Sequence, residues 1–317
     1  MRIVSTFIVF LFVLGGCTTI RPLPMPGLTL PQGSGLFSHA AFDRVLRRFV
    51  DEQGRVAYAA LQRESQDIER YYALLTTYSP DSHPELFPST ASQLAYWLNA
   101  YNAAVIKTVL AHYPITGVGD VQSPLALFFL PAKSGFFVLQ RVTFGGKTTN
   151  LYFLEHRVIR QRFHDPRVHF ALNCASGGCP RLPRYAFAAE QLDEQLDFEA
   201  RKFVTEERNV FVDHSHRTVR LSSIFDWYSE DFLTWYGKQF PRQEATMLRY
   251  IALYASPSQV EDLKQADSYT IEFLPYDWRL NDQNETRFVF SSGGRSLGSL
   301  CVAVNSGIDN GLSEKFG

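Results

Sequence analysis

Apolar residues recur at helical spacing through the first half of the chain. Between residues 42 and 50 they lie three or four positions apart, which predicts a helix. A second helix is predicted over 61–77. A third, over about 90–112, is so apolar that it should be buried on nearly all sides, and Tyr113-Pro114 ends it. These helices predict a core built around one central buried helix.

Alternating segments and turn residues predict short strands among further helices. Gly145-Gly146 centres a predicted hairpin, and Thr149 or Asn150 would cap a helix from 151 to about 162. The other predicted strands are 168–173, 209–213, 218–221 and 269–274, and the other predicted helices are 191–206, 223–231, 242–255 and 258–265. Because the order is irregular, we expect an α+β fold, a single domain of helices packed on a small mixed or antiparallel sheet.

The N-terminus has the pattern of a secretory leader. Arg2 precedes an apolar run over 3–14 that is too short for a stable membrane-spanning helix. Leu14-Gly15-Gly16-Cys17 resembles a bacterial lipobox, in which Cys17 is acylated, with palmitate for example, and becomes the new N-terminus. The alternative is an ordinary leader cleaved elsewhere, with Cys17 incidental. We expect a membrane-anchored protein of the cell envelope, at the periplasmic face of the outer membrane, since Thr18 rather than Asp follows Cys17.

Composition divides the chain into four segments. Residues 1–16 are the predicted leader, and residues 17–35 are rich in Pro and Gly and predict an extended tether. Residues 36–281 form the predicted globular domain. Residues 282–317 include a run of Ser and Gly without capped helices or paired strands, which predicts a poorly ordered tail.

Composition and charge exclude several classes of protein. The chain has 317 residues, of which 45% are hydrophobic and 20% charged, which excludes a disordered or coiled-coil protein. The formal net charge of -1 gives no basis for a nucleic-acid partner, which would require a strongly basic face.

The segment around Cys174 is the most unusual candidate for chemistry. A buried strand over 168–173 would deliver Cys174 into a Gly-rich loop. The catalytic hypothesis is that Cys174 is a thiolate nucleophile and that His156 or His169 is its base. Glu155 would orient an imidazole. Strand alternation would point His169 away from Cys174, whereas His156 lies on an apolar stripe of its helix. The alternative is that both histidines are hydrogen-bonded members of the core.

Cys179 offers a partner for Cys174. In an oxidising compartment the intervening loop could close into a disulfide, and neither sulfur would then be a nucleophile. A reversible pair would instead indicate redox chemistry. Metal binding is a third option, because Glu155, His156, His169 and the cysteines are suitable ligand types, but no recognised metal-binding spacing organises them. We therefore predict no metal and no cofactor.

Asn99 and Asn102 lie three residues apart on one face of the central helix. Because a buried amide without a partner is costly, both need hydrogen bonds. They would either form a polar network between helices or line a pocket, where they could steady an oxyanion or orient a histidine. With Asn173 and Cys179 they complete the predicted pocket lining.

Several motifs together resemble the family called domain of unknown function 547. The resemblance covers roughly residues 36–281, although the loop 175–178 reads Ala-Ser-Gly-Gly where members often have Gly-Ala-Lys-Ser. It implies an envelope or plant protein without an established activity, and relatives inside cells that keep both cysteines argue against an obligatory disulfide. The matching segments are 95–103, 154–156, 165–174, Cys179-Pro180, 224–228, Asp231-Phe232, 276–278 and 280–281.

These observations lead to two hypotheses. The first is a lipid-anchored envelope protein that acts as a thiol hydrolase or acyl transferase on the amide or ester of a small molecule or peptide. In it Cys174 attacks and His156 accepts the proton. The alternative is a binding or scaffold module without chemistry, whose cysteines are structural and whose partner is a protein.

Overall fold

The computed structural model describes residues 18–25, 28, 35–122 and 133–284. Helices pack around two small sheets, and the predicted α+β class is confirmed. The predicted helix over 61–77 is two helices, because the chain turns between Arg63 and Gln66. The first helices are α1 (Ala40–Phe49), α2 (Tyr58–Arg63), α3 (Gln66–Thr77) and α4 (Thr90–His112), with a 3-10 turn at Pro84–Leu86 before α4.

The α4 helix is the centre of the molecule. Ser89 and Ser92 form a capping box at its start, which satisfies backbone donors that the first turn leaves free. Every position from Leu94 to Leu110 is buried. The prediction of a central buried helix is therefore confirmed.

The middle of the chain contains a hairpin and an unusual helix. After a 3-10 turn (Val118–Asp120) and α5 (Ser134–Phe137), strands β1 (Val142–Phe144) and β2 (Lys147–Thr149) pair in antiparallel fashion around Gly145-Gly146. The Asn150 side chain then accepts the backbone N–H of Phe153 and caps the next helix. This helix consists of α6 (Leu151–Phe153), a π-helical segment (Leu154–Ile159) and α7 (Arg160–Phe163).

The predicted strand over 168–173 is wrong. A 3-10 helix, Pro166–Phe170, occupies its first half. Pro166 has the backbone angle of a first helical residue, and the Asp165 carboxylate accepts the backbone N–H of Arg167, so this start favours a helical turn over a strand. The argument that alternation turns His169 away from Cys174 therefore does not apply.

The C-terminal part contains the mixed three-stranded sheet. Strand β4 (Thr218–Ser222) lies between β3 (Val210–Asp213), which is antiparallel to it, and β5 (Thr270–Leu274), which is parallel to it. A break at Tyr228 divides the helix that was predicted over 223–231. The helices are α8 (Leu192–Thr205), which follows a 3-10 turn at Ala189–Gln191, then α9 (Ser223–Trp227), α10 (Ser229–Gln239), α11 (Met247–Ala252) and α12 (Pro257–Gln265).

Two hydrophobic clusters form the core. The first surrounds α4 and takes most of its side chains from residues before 197. The second surrounds β4 and α10 and takes most of its side chains from residues 200–266. Phe170 belongs to the second cluster, whereas Val168 and Ala171 belong to the first. The segment that leads to Cys174 thus lies where the two clusters meet.

Part of the predicted tether packs against the domain. Ile20 is buried, and its backbone N–H donates to the carbonyl of Arg141. The backbone N–H of Leu23 donates to the carboxylate of Glu69. An apolar side chain within a Pro-rich segment can thus still pack into the core. At the other end the packed region continues past 281, because Asp282 is buried and bridges to Val56.

The remaining terminal predictions lie outside the described residues. They are the leader, Cys17 as an acylation site, and the tail from 285 onwards. Among the residues that the structure does describe, no helix is both long and apolar enough to cross a membrane.

Candidate active site

A small cavity of about 50 Å³ lies between the two clusters. Cys174 and Trp278 pack against the first cluster, and Trp227, Tyr228 and Tyr276 pack against the second. The sequence-predicted residues that line the cavity are Glu155, His156, His169, Cys174 and Cys179. The structure therefore brings the predicted sulfur and both predicted imidazoles to one place.

Cys174 and Cys179 are joined in a disulfide. Cys174 is partly exposed, whereas only 2% of Cys179 is exposed. The Tyr276 hydroxyl lies 3.0 Å from the sulfur of Cys174 and 3.1 Å from that of Cys179. The Ser176 hydroxyl lies 3.1 and 3.3 Å from the same two sulfurs. Two hydroxyl groups thus contact both ends of the disulfide.

The loop between the cysteines owes its shape to close backbone packing. The backbone N–H of Gly178 donates to the carbonyl of Asp277, and the N–H of Gly177 donates to that of Arg279. A Cβ at Gly178 would lie 2.9 Å from the backbone nitrogen of Asp277, so glycine permits this approach. The hydrogen bond between Gly178 and Asp277 also holds the neighbouring residue, Tyr276, close to the two sulfurs.

His169 is oriented by a carboxylate. Its Nε2 lies 2.7 Å from Oδ2 of Asp231, and its ring stacks on Tyr228 at a centroid distance of 3.8 Å. Burial lowers the pKa of His169 below its usual value, more than the contacts with Asp231 raise it. Burial raises the pKa of Asp231, but hydrogen bonds from His169 and Arg160 outweigh burial and lower it overall. The pair therefore combines an ionised carboxylate with a neutral imidazole at neutral pH.

His156 has a different environment. It lies in the π-helical segment, a local geometry that often occurs at functional sites. The guanidinium of Arg160 donates to its Nδ1 at 2.9 Å, and Arg160 also forms an ion pair with Asp231 at 2.7 Å. Because a guanidinium is always a donor, this contact occupies the Nδ1 lone pair of His156.

Glu155 is a buried carboxylate that two tyrosines hold. The hydroxyl of Tyr101, from α4, donates to it at 3.1 Å, and the hydroxyl of Tyr228 donates to its other oxygen. Burial raises the pKa of Glu155, but the electrostatic effect of His156 and the Tyr228 hydrogen bond outweigh burial, and the net shift is downwards. Glu155 thus contributes a negative charge to the cavity, and the Nδ1 atom of His156 lies 3.9 Å from its Oε1, beyond hydrogen-bond distance.

Three of the residues predicted to line a pocket, Asn99, Asn102 and Asn173, are not among the side chains that line this cavity. Asn99 donates to the carbonyl of Phe187 and accepts its backbone N–H. Asn102 donates to the carbonyl of Ala171 and accepts the backbone N–H of Asn173. Asn173 itself holds the cysteine loop, because its amide donates to the Pro180 carbonyl and accepts the Ala175 N–H. The amides bind backbone groups because those groups, buried between helices, have no regular secondary-structure partner.

Asp231, Tyr228 and Tyr276 were missed as candidate site residues. Each lies in a segment that carries the family resemblance, and that position was the available signal. Periodicity alone assigned Asp231 to the end of a helix and Tyr276 to the chain after the last strand. Among the described residues, no group of three or more His, Cys, Asp or Glu side chains is arranged to hold a metal ion.

Comparison with known proteins supports the family resemblance. Residues 87–204 match the model of the family described as "Protein of unknown function, DUF547". The match confirms the resemblance over these residues. The matched region includes α4, the π-helical segment and both cysteines of the loop. No curated protein and no solved structure matches the chain.

Proposed function

We propose that the cavity is the active site of a thiol-dependent hydrolase or acyl transferase that acts on an amide or ester after the disulfide is reduced. The observation that carries this proposal is that Cys174 shares one small cavity with His169, an imidazole that Asp231 already orients. A nucleophile, a base and a group that orients the base are the three parts that acyl transfer requires.

We assign the base to His169 rather than to His156. The carboxylate of Asp231 accepts the Nε2–H of His169, which leaves Nδ1 as the proton-accepting atom of the neutral ring. In His156 the lone pair of Nδ1 already accepts a hydrogen bond from Arg160. His156 would then act through Arg160, which connects it to Asp231.

The reaction would proceed through a thioester. The Nδ1 of His169 accepts the proton of the Cys174 thiol, and the sulfur attacks the carbonyl carbon of the substrate. The protonated ring then gives its proton to the departing alcohol or amine. Water, or an acceptor nucleophile in a transfer, releases the acyl group with His169 again accepting a proton. The positive charge on the ring is stabilised at each stage by the Asp231 carboxylate.

The cavity size supports a substrate that enters by one end only. A volume of about 50 Å³ accommodates a few water molecules, since one water requires about 10–15 Å³ on this measure. Only the carbonyl group and its nearest atoms would enter, and the rest of a small molecule or peptide would lie outside. The aromatic rings of Trp227, Tyr276 and Trp278, which contact one another, form the apolar part of the wall.

The proposed setting is the cell envelope, with the domain held on a membrane by acylated Cys17. The lipobox-like segment before Cys17 supports this proposal. Mass spectrometry of the N-terminal peptide tests it: a diacylglyceryl group on Cys17 is expected, and cleavage at another site would contradict it.

A binding or scaffold module remains a second proposal, and the disulfide is the observation that favours it. With both sulfurs paired, neither Cys174 nor Cys179 offers a thiol, and the amides of Asn99 and Asn102 bind backbone groups. In that case the domain would present a surface to a protein partner and would not react with acyl groups.

Acylation of Cys174 by p-nitrophenyl acetate distinguishes the two proposals. A Cys179→Ser variant leaves Cys174 as a free thiol, and we expect it to be acetylated at least ~100-fold faster than a simple thiol, because a base is in place. As the solution is made more acidic, the rate should hold through the usual titration range of histidine and fall only below it, because burial lowers the pKa of His169 and keeps its ring neutral.

Two further variants complete the test. In the Cys179→Ser background, His169→Gln should lose the acceleration, whereas His214→Gln, at an exposed turn, should keep it. An acetylation rate that equals that of a simple thiol in all three variants would exclude the hydrolase and favour the scaffold.

A further inference from the structure

We infer that the Cys174–Cys179 disulfide is an exchange site for a dithiol reductant, with Cys174 as the sulfur that is attacked and Cys179 as the sulfur that leaves. This inference deepens the proposed function, because reduction releases the thiol of Cys174. The exchange itself involves no acyl group, so the two proposals fail in different experiments.

The two sulfurs differ in access. Both cysteines line the cavity between the two clusters, but Cys174 is partly exposed, so an incoming thiol can reach it there. Cys179 is 2% exposed, and the backbone N–H of Cys174 lies 2.9 Å from its sulfur. Because attack requires an approach to the sulfur, this asymmetry directs an external thiol to Cys174.

The buried sulfur is surrounded by hydrogen-bond donors. The Cys174 amide contacts this sulfur, and the hydroxyls of Tyr276 and Ser176, which also contact the sulfur of Cys174, lie 3.1 and 3.3 Å from it. Burial raises the pKa of Tyr276, so its hydroxyl keeps its proton at neutral pH and can donate it. Hydrogen bonds to a thiolate stabilise it, and a more stable thiolate leaves a disulfide faster.

The loop has other contacts that hold it without the disulfide. Asn173 binds the Pro180 carbonyl and the Ala175 amide, so it connects the two ends of the loop. Gly177 and Gly178 also bind the backbone at Arg279 and Asp277. We therefore expect the cavity to keep its shape after reduction, as an exchangeable disulfide requires.

The exchange balances as a two-electron reduction. A thiolate of the dithiol attacks the sulfur of Cys174, the bond between the two sulfurs breaks, and its electron pair goes to the sulfur of Cys179. The second thiol of the reductant then attacks the mixed disulfide and releases Cys174. The reductant ends as an intramolecular disulfide, and the protein gains two electrons and two protons, which the dithiol supplies.

Trapping the mixed disulfide in the full chain tests the direction of attack. The folded protein is exposed briefly to glutathione, a monothiol whose second step requires another glutathione molecule, and is quenched with acid before peptide mass spectrometry. We expect glutathione on Cys174 at least ten times more often than on Cys179. Adducts chiefly on Cys179 would overturn the inference.

Reduction kinetics test the rest of the argument. Reduction of the protein in native buffer is compared for dithiothreitol, a small dithiol, and reduced thioredoxin, a protein dithiol. Reduction by either reagent supports the inference. The faster reagent indicates whether the reductant is a small molecule or a protein. Reduction that occurs only in urea would overturn it, and so would a protein isolated from oxidising medium in which peptide mapping finds Cys174 and Cys179 both as free thiols.

Matched tyrosine variants test the role of the donors. Tyr276→Phe should slow reduction about tenfold, whereas Tyr185→Phe, whose hydroxyl binds Glu199 instead of a sulfur, should leave the rate unchanged. Ser176→Ala, which removes the other hydroxyl near the sulfur of Cys179, should also slow reduction. Equal rates in all four proteins would contradict the proposed stabilisation of the leaving thiolate.

Discussion

Two sets of buried or partly buried polar side chains, one in and beside α4 and the other at the cavity, differ in what they contact. The first set, which we call the scaffold set, is Asn99, Asn102 and the ion pair of Lys107 with Glu69. The second, the cavity set, is Glu155, His156, Arg160, His169 and Asp231. In a sequence both sets are simply polar residues among apolar ones.

Their partners show the difference in role. The asparagine amides contact backbone N–H and carbonyl groups, and Lys107 neutralises a carboxylate that is almost completely buried. In the cavity set, Arg160 and Asp231 connect His156 to His169, and Glu155 lies 3.9 Å from His156, so the charge of each group affects the pKa values of its neighbours. Polar groups of the first kind hold chain segments in place, whereas groups of the second kind can move protons.

The largest expected effect of disrupting the scaffold set is on stability. Lys107→Met leaves Glu69 buried without a cation, and we expect it to lower the free energy of unfolding by about 3–5 kcal/mol. Urea denaturation measures the change. As a control, the double variant Lys107→Met with Glu69→Leu should lose less, because it leaves no buried charge unpaired. A loss below about 1 kcal/mol for the single variant would show that this pair is not part of the scaffold.

A smaller loss is expected for Asn102→Ala. It leaves the Ala171 carbonyl and the Asn173 amide without their partner, and we expect about 2–4 kcal/mol from two buried groups. The matched variant Asn150→Ala removes only a helix cap at a surface position and should cost about 1 kcal/mol. If both variants unfold at the same urea concentration, Asn102 is not the connection between α4 and the cysteine segment that the structure indicates.

The smallest effect on stability is expected within the cavity set, where the effect on reactivity should be large. Asp231→Asn keeps the shape of the side chain and should cost about 1 kcal/mol of unfolding free energy. In the Cys179→Ser background, the same change should slow acetylation of Cys174 about 100-fold, because His169 loses the charge that stabilises its protonated form. Stopped-flow absorbance of released p-nitrophenol measures the rate. Unchanged kinetics would remove Asp231 from the proposed mechanism.

Much of the architecture could be predicted because it depends on local pattern. The α4 helix follows from an apolar segment that begins after Ser89 and ends at Tyr113-Pro114, and the hairpin at Gly145-Gly146 follows from its turn residues. The 3-10 helix at Pro166–Phe170 was missed because its apolar residues also fit a strand, and the capping role of Asp165 decided between the two.

The candidate site was only partly predictable for a different reason. Cys174, His156 and His169 could be proposed because their residue types are uncommon in an apolar setting. Their roles depended on neighbours distant in sequence, such as Asp231 beside His169 and Tyr276 over the sulfurs. No periodicity in one segment contains information about such a neighbour.

The amino-acid order by itself determined most of the helical segments, which residues are apolar enough to form a core, and which few side chains are capable of acid, base or thiol chemistry. The tertiary structure alone decided that Asn99 and Asn102 bind backbone while His169 meets a carboxylate, and that Cys174 is joined to Cys179. The reason is physical: the protonation and reactivity of a side chain depend on burial and on charges within a few ångströms, and both arise only when distant segments pack together.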